Sequence, residues 1–282
     1  MAIRRGELML VVHRHTGEAL LTVDGNTLAG ASLAGAALAY AQLSGATLVQ
    51  CDLRGIDLCN ADLTGASFEG SDMTSSDLTL ATISGADFRR AQLGDARLQA
   101  VNKTAVGDTG VDFREADLTR ATLRNSILTS ACFADANLRR ADLSRCNLEG
   151  ANLRGADLSG ADLGFVNLTG ADLSHATLVG ATLHGAILEG ARLDHADLTL
   201  ASLNGARVAG ADLTESLWSK TVWARCDDLA RTHGLDTVHH GDDSSLDMQT
   251  LRAGIDGLPD ELLEHCGVRP AELALLRSLR SR

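Results

Sequence analysis

Two histidines at the spacing of a repeated structure are the residues of this chain that come nearest to a metal-binding set. His175 and His195 lie twenty residues apart, and Asp194 directly precedes the second. Two imidazoles and a carboxylate are common ligands of zinc. At the same spacing on either side, residues 155 and 215 are glycine and glutamate, so no third imidazole or thiolate follows. The sequence therefore favours ordinary surface histidines, with no metal and no cofactor.

A second set of chemically capable residues is acidic. Asp52 and Asp72 are twenty residues apart, and so are Asp57 and Asp77. If twenty residues make one coil, each pair stacks about 5 Å apart, where like charges repel unless they are screened or paired. Two interpretations stay open: solubility and edge protection, or acidic faces that bind a partner. Since the sequence contains no phosphate loop, nucleophile elbow or paired catalytic acids, an enzyme is not expected.

The element that must position these residues is a repeat of five. From Leu28 to Trp223 every fifth residue is apolar, except Lys103 and Asp108. A small residue, most often Ala, stands two places before each central Leu, and Gly is frequent two places after it. A period of five fits neither a helix nor a plain strand, so it predicts an extended segment with a corner in each repeat. Four such segments close a coil, and coils stack about 4.8 Å apart.

The repeats also carry a family resemblance. Stretches such as Ala-Asp-Leu-Thr-Gly and Ala-Asn-Leu-Arg-Gly resemble the A(D/N)LXX pattern of the pentapeptide-repeat family, over about 200 of the 282 residues. The resemblance implies an all-β solenoid, a right-handed quadrilateral β-helix of about ten coils. Residues 1–25 are predicted to form an N-terminal β-hairpin cap, residues 26–225 the β-helix, and residues 226–282 a small helical C-terminal segment.

One break in the repeat is the strongest candidate for a functional loop. Lys103 and Asp108 occupy central positions, and burying both charges is costly without further partners. Two interpretations stay open: the two charges form a buried pair within the coil, or residues 101–110 bulge from the tube as a loop, which the cost of burial favours. Loops on a regular scaffold commonly carry function. The predicted partner-binding residues of this loop are Asn102, Lys103, Thr104, Asp108 and Thr109.

The C-terminal segment carries helical signals. Helices are predicted over Ser244–Arg252, from Pro259 and over Pro270–Leu279. Leu273, Leu276 and Leu279 lie along one side of the last one. Two interpretations stay open: this segment caps the last coil, or these leucines form a homodimer or partner-docking surface.

Charge and hydropathy restrict the class of partner. The net charge of −12 disfavours direct binding to nucleic acid or to an anionic membrane. No apolar stretch suits a signal peptide or a membrane span, which predicts a cytoplasmic protein. The six cysteines lack metal-ligand spacing and are expected to be reduced.

The resemblance also implies a function. Some pentapeptide-repeat proteins protect DNA gyrase or topoisomerase IV from inhibitors, and their acidic surfaces imitate the phosphates of DNA. This implies a protein partner of that kind, contacted through Asp52, Asp57, Asp72 and Asp77 and through the loop. The alternative is a general protein-interaction scaffold whose helical tail recruits a signalling or effector partner.

Overall fold

The central part of the chain is a four-sided β-helix. A computed structural model describes residues 3–5, 8–24, 27–102, 107 and 109–280. Parallel bridges join residues one coil apart, as in the run Ser32, Asp52, Asp72. The spacing of twenty residues between partners means that each coil has four sides of five residues.

Backbone hydrogen bonding explains why five residues suffice for one side. The central Leu53 donates its N–H to the carbonyl of Asp72 in the next coil (2.7 Å), and Asp72 donates to Cys51 in the coil before (2.9 Å). The corner residue Gly55 donates to Thr74 of the next coil (2.9 Å). The N–H of Thr74 is taken by Oδ1 of Asp72 (3.0 Å). Asp or Asn before the central residue therefore satisfies the one N–H that the ladder leaves open.

The core is a column of apolar side chains inside the tube. The small and central residues of the repeats that the structure describes, mostly Ala and Leu, are buried from Leu38 onward, while Ala31, Leu33 and Ala36 of the first coil are partly buried. Four phenylalanines interrupt the leucines, and their rings stack at centroid distances of 4.9, 4.9 and 4.8 Å. They are Phe68, Phe88, Phe113 and Phe133. These centroid distances equal the spacing between successive coils, so each coil contains one of the four rings.

The N-terminal end is closed by an antiparallel sheet. Strand β1 (Ile3–Arg5) pairs with β2 (Leu8–Val12), which pairs with β3 (Ala19–Asp24). An antiparallel bridge from His13 to Ala41 attaches this sheet to the coils. The structure thus has a third strand beside the hairpin expected from the sequence.

At the C-terminal end, residues 226–247 form one more coil. Strand β4 (Leu217–Trp218) pairs in parallel with β6 (His239–His240), and β5 (Val222–Trp223) pairs with β7 (Ser245–Leu246). A 3-10 turn lies at Leu229–Arg231. The prediction of a helical segment directly after residue 225 is wrong here, because these residues continue the ladder without the five-residue sequence.

Three short helices follow this coil. Helix α1 spans Met248–Gly254, α2 spans Asp260–His265 and α3 spans Pro270–Arg280. Helix α1 begins later than predicted because Asp247 caps it, accepting the N–H of Thr250 at 2.8 Å. None of the helices in the described ranges is long and apolar enough to cross a membrane.

Two tryptophans end the apolar column beneath these helices. The indole rings of Trp218 and Trp223 are fully buried, with centroids 4.5 Å apart. The Trp218 indole N–H donates to Ser216 Oγ at 3.0 Å. His240 of the last coil lies against Trp218, with ring centroids 6.3 Å apart. Apolar side chains of the helices belong to the same core cluster, so the C-terminal segment is part of the folded core.

Candidate interaction surfaces

The predicted acidic residues lie on two adjacent faces of the tube. Asp52 pairs with Asp72 on one face, and Asp57 pairs with Asp77 on the next. Their Oδ1 atoms accept N–H groups two residues ahead, as Asp57 does from Cys59 at 3.0 Å. Each carboxylate is therefore fixed in direction, with its second oxygen turned outward.

Arginines neutralise most of this predicted acidic surface. Arg54 makes two hydrogen bonds of 2.8 Å to Asp52 and lies 3.7 Å from Asp72. Hydrogen bonding from Arg54 lowers the pKa of Asp52 to about 2. Arg97, one coil further along, pairs with Asp77. Burial raises the pKa of Asp77, but hydrogen bonds from Thr79 and Arg97 outweigh this effect and hold the pKa below its usual range. Of the four predicted acids, Asp57 alone has no ion pair within the described ranges.

The carboxylates without arginine partners lie mainly in the second half of the tube. Asp142 and Asp162 occupy successive coils of one face. Asp117 and Asp197 lie on the neighbouring face, where Asn137 and Thr177 alternate with the acids. Among the described residues none of these four aspartates forms an ion pair. The sequence did not single out this half, because charge pairing between coils depends on which residues share a face.

The break in the repeat adds five residues to one coil. Bridges that span the break join residues 25 apart, as in Asp87 to Asp112. Bridges between residues after the break join residues twenty apart again, as in Asp112 to Cys132. Val101 stays in the buried core, and Thr109 donates its hydroxyl to the carbonyl of Thr129 at 2.8 Å. The predicted loop over 101–110 is thus too wide, because both of its ends belong to the wall.

Asn102 closes the wall where the chain leaves it. Its Oδ1 accepts the N–H of Ile83 in the coil before (2.8 Å), and its Nδ2 donates to the carbonyl of Ile127 in the coil after (3.3 Å). Asn102 and Thr109 are each only 2% exposed. Neither is therefore retained as a partner-binding residue, and Lys103, Thr104 and Asp108 lie outside the described residues.

The spacing of the buried phenylalanines in the sequence also records this insertion. The buried phenylalanines at 68, 88, 113 and 133 are separated by 20, 25 and 20 residues. Since these rings stack without a gap, the middle interval directly measures the five extra residues.

The predicted dimer surface of α3 faces the chain's own core. Leu273 is 6% exposed, and Leu276 packs against the same core cluster. The side chain of Leu279 lies outside the described residues. The outward residue of this helix is Leu275, which at 59% is the most exposed of the large apolar side chains that the structure describes.

The two histidines singled out by their spacing do lie side by side. The rings of His175 and His195 stack with centroids 4.7 Å apart and planes 23° apart. Asp194 Oδ2 lies 3.6 Å from Nδ1 of His195. Both histidines are corner residues with positive φ, held by N–H bonds of 2.9 Å to the next coil. Chemically, the described part of the tube thus offers fixed rows of carboxylates and, at His175 and His195, a stacked imidazole pair on a convex surface.

Comparison with known proteins gives a family match. The model for pentapeptide repeats matches in eight copies, which together cover residues 25–99 and 109–214. The gap between these two ranges, residues 100–108, lies at the break in the repeat. No curated protein matches the chain.

Several solved structures are similar. HetL, a pentapeptide repeat protein involved in heterocyst differentiation regulation in the cyanobacterium Nostoc sp. PCC 7120, is 33% identical over 68% of this chain and 90% of its own, with a TM-score of 0.36. Trypsin-treated QnrB1, a plasmid-mediated fluoroquinolone resistance protein, is 20% identical over 79% of this chain and 95% of its own, with a TM-score of 0.45. Rfr23 from the cyanobacterium Cyanothece 51142 is 36% identical over 38% of this chain and 63% of its own, with a TM-score of 0.19.

Proposed function

The chain belongs to the pentapeptide-repeat family, a group of right-handed β-helices, and we propose that it is a non-enzymatic protein-binding member of it. Its proposed partner is DNA gyrase or topoisomerase IV, which it would shield from an inhibitor in the cytoplasm. The acidic faces would occupy a surface that normally holds DNA. The protein itself would bind neither nucleic acid nor membrane.

The observation that carries this proposal is a set of carboxylates, Asp117, Asp142, Asp162 and Asp197, that form no ion pair among the described residues. Asp142 and Asp162 stack on one face, and Asp117 and Asp197 extend the negative surface around the corner. Oδ1 of Asp142 accepts the N–H of Ser144, and Oδ1 of Asp162 accepts that of Gly164, both at 2.9 Å. A surface that binds DNA phosphates would meet fixed anions here without a conformational change.

The charge per unit length of the tube, compared with that of DNA, sets the strength expected of such mimicry. Duplex DNA carries one charge about every 1.7 Å of its axis. Residues 26–225, which form the tube, carry 23 acidic and 16 basic residues, a net charge of −7 over roughly 48 Å, which is one charge in about 7 Å. The weaker field favours steering and orientation of a partner over tight electrostatic binding, so the association should weaken as salt is raised.

A supercoiling assay with purified gyrase and a quinolone tests the proposal. The full-length protein should restore supercoiling by the inhibited enzyme. Changing both Asp142→Asn and Asp162→Asn should reduce this protection, because the amide oxygen keeps the turn hydrogen bond while the charge is lost. Asp52→Asn is the matched control, since Arg54 already neutralises that carboxylate. If the wild-type protein neither binds gyrase nor changes inhibited supercoiling, the proposal fails.

A second variant tests whether the inserted residues take part. Deleting residues 104–108 and changing Lys103→Leu would leave Val-Asn-Leu-Thr-Gly at this point, the same five residues as 166–170. The ladder spacing would return to twenty, so the coil should stay folded. Reduced protection with unchanged thermal stability would assign a role to the insertion, and unchanged protection would remove it from the proposal.

The second candidate function is a scaffold whose tail recruits a partner. The exposed Leu275 on α3 is the observation that favours it. Deleting the tail is a poor test, because the C-terminal segment is part of the folded core. Leu275→Glu is cleaner, with Arg252→Glu on the exposed side of α1 as a control for added charge. If the Leu275→Glu variant binds its partner as well as the wild-type protein does, recruitment through this helix is rejected.

A further inference from the structure

We propose that His175, Asp194 and His195 form a surface site for a divalent transition metal such as zinc, joining two successive coils. This goes beyond the proposed function, which uses other faces and no metal. The candidate ligand atoms of these three side chains all lie within 4.8 Å of one another. The imidazoles come from adjacent coils, and the carboxylate precedes the second imidazole in the chain.

The distances require only small side-chain movements. Zinc bonds of about 2.1 Å in a tetrahedral arrangement place ligand atoms about 3.4 Å apart. Asp194 Oδ2 and His195 Nδ1 are already at 3.6 Å. The backbone beneath both histidines is fixed by the ladder, through bonds from His175 N to Asp194 O and from His195 N to Thr214 O, each 2.9 Å. Closure therefore needs rotation of the exposed imidazoles and release of Asp194 by a neighbouring arginine, and solvent can complete the coordination.

The guanidinium of Arg192 would compete with a metal ion for the carboxylate of Asp194, and this competition makes the site testable. Arg192 Nη2 lies 3.3 Å from Asp194 Oδ1, while Nη1 of the same guanidinium lies 3.3 Å from Asp172. On metal binding Arg192 can keep Asp172 and release Asp194. The carboxylate one coil below His195, at the same corner, belongs to Glu215, which is held by His239 at 2.5 Å. Glu215 is therefore left out of the proposed set.

Zinc titration of the untagged, full-length protein by calorimetry and by NMR of the imidazole signals tests the site. The wild-type protein should take up one zinc ion saturably, with the largest shifts at His175 and His195. His175→Ala, His195→Ala and Asp194→Asn should each weaken binding by more than the roughly 10–100-fold that loss of an outer-shell partner costs. Arg192→Gln should tighten binding, by roughly tenfold on the same scale.

Two variants serve as controls. His184→Ala removes an exposed histidine on another corner, and Glu215→Gln removes the next carboxylate in the same column, so both should leave zinc affinity unchanged. Zinc binding that is absent or not saturable would overturn the proposal. So would an equal effect of His184→Ala and His195→Ala, since that would mean scattered binding by surface imidazoles. The gain expected for Arg192→Gln cannot be produced by a variant that fails to fold.

Discussion

The Oδ1 atom of Asn102 accepts the backbone N–H of Ile83 at 2.8 Å, in the place where regular coils present a backbone carbonyl. In the regular coil next to it, Leu63 donates to the carbonyl of Thr82 at 2.8 Å. The amide side chain of Asn102 thus replaces a peptide group of the wall, as acceptor toward one coil and as donor to Ile127 in the other.

The first prediction concerns this replacement. Asn102→Ala should destabilise the protein by about 1–3 kcal/mol, because it leaves the buried Ile83 N–H and Ile127 carbonyl without partners. Asn102→Asp should also destabilise it, since a carboxylate cannot donate to Ile127. Denaturation and hydrogen exchange at the Ile83 amide measure both effects. Asn152→Ala is the control, since Asn152 is at the equivalent position of its repeat but is exposed. The interpretation would be contradicted if hydrogen exchange became faster in Asn152→Ala and not in Asn102→Ala.

The second prediction concerns the phenylalanine stack. Phe88→Ala should cost about 3–5 kcal/mol, because it opens a cavity between two stacked rings. Phe88→Leu should cost less than about 1.5 kcal/mol, since leucine is the usual occupant of this position. Urea denaturation compares the two variants. Equal losses would mean that ring stacking, and not filled volume, dominates at this site.

The third prediction is a pH dependence centred on the C-terminal coil. His240 stacks on His265 at the end of α2, with centroids 4.2 Å apart and planes 10° apart. Burial, aided by His265 and His239, lowers the pKa of His240, and Glu261 opposes this effect. The unfolded chain therefore takes up this proton first, and the stabilisation is lost as pH falls below the unfolded pKa of about 6.5.

Thermal unfolding between pH 7.5 and 5 measures this loss. His240→Phe keeps an aromatic ring in the stack but cannot be protonated, so its melting temperature should change less over this range than that of the wild type. Above pH 7 the two proteins should have parallel curves. An unchanged slope in His240→Phe would exclude the histidine pair as the cause.

The fourth prediction concerns thiol reactivity. Burial raises the pKa of Cys146, Cys226 and Cys266 to about 12, so each stays a protonated thiol at neutral pH. The Cys146 thiol also donates to the carbonyl of Leu123 at 3.0 Å. Alkylation at pH 8 should therefore modify the half-buried Cys132 first, and these three only after unfolding. Mass spectrometry of peptides gives the order, and early labelling of Cys146 would contradict it.

The β-helix could be predicted from the sequence because one rule applies at every repeat. A small and a large apolar residue two apart define the inward side, and Asp or Asn between them serves the open N–H. Pairing across coils was harder. Arg97 neutralises Asp77 only because the two share a face, and the faces beyond residue 102 shift by five residues.

The C-terminal coil could not be predicted in this way. Residues 226–247 follow the ladder without the repeat, since strands β6 and β7 are guided by pairing with β4 and β5. The role of Asn102 was hidden for a similar reason. Nothing in the residue type distinguishes an amide that replaces a peptide group from one that caps a turn.

Because Asn102 and Thr109 are both hydrogen-bonded within the wall, the chain between them is a site that should tolerate insertions. Both ends of the connecting chain are satisfied within the wall, so the length between them enters stability only through loop entropy. Each doubling of that length costs about 0.6 kcal/mol. Foreign peptides, affinity epitopes or small folded modules could therefore be grafted between residues 102 and 109, and displayed at a fixed height along a rigid rod.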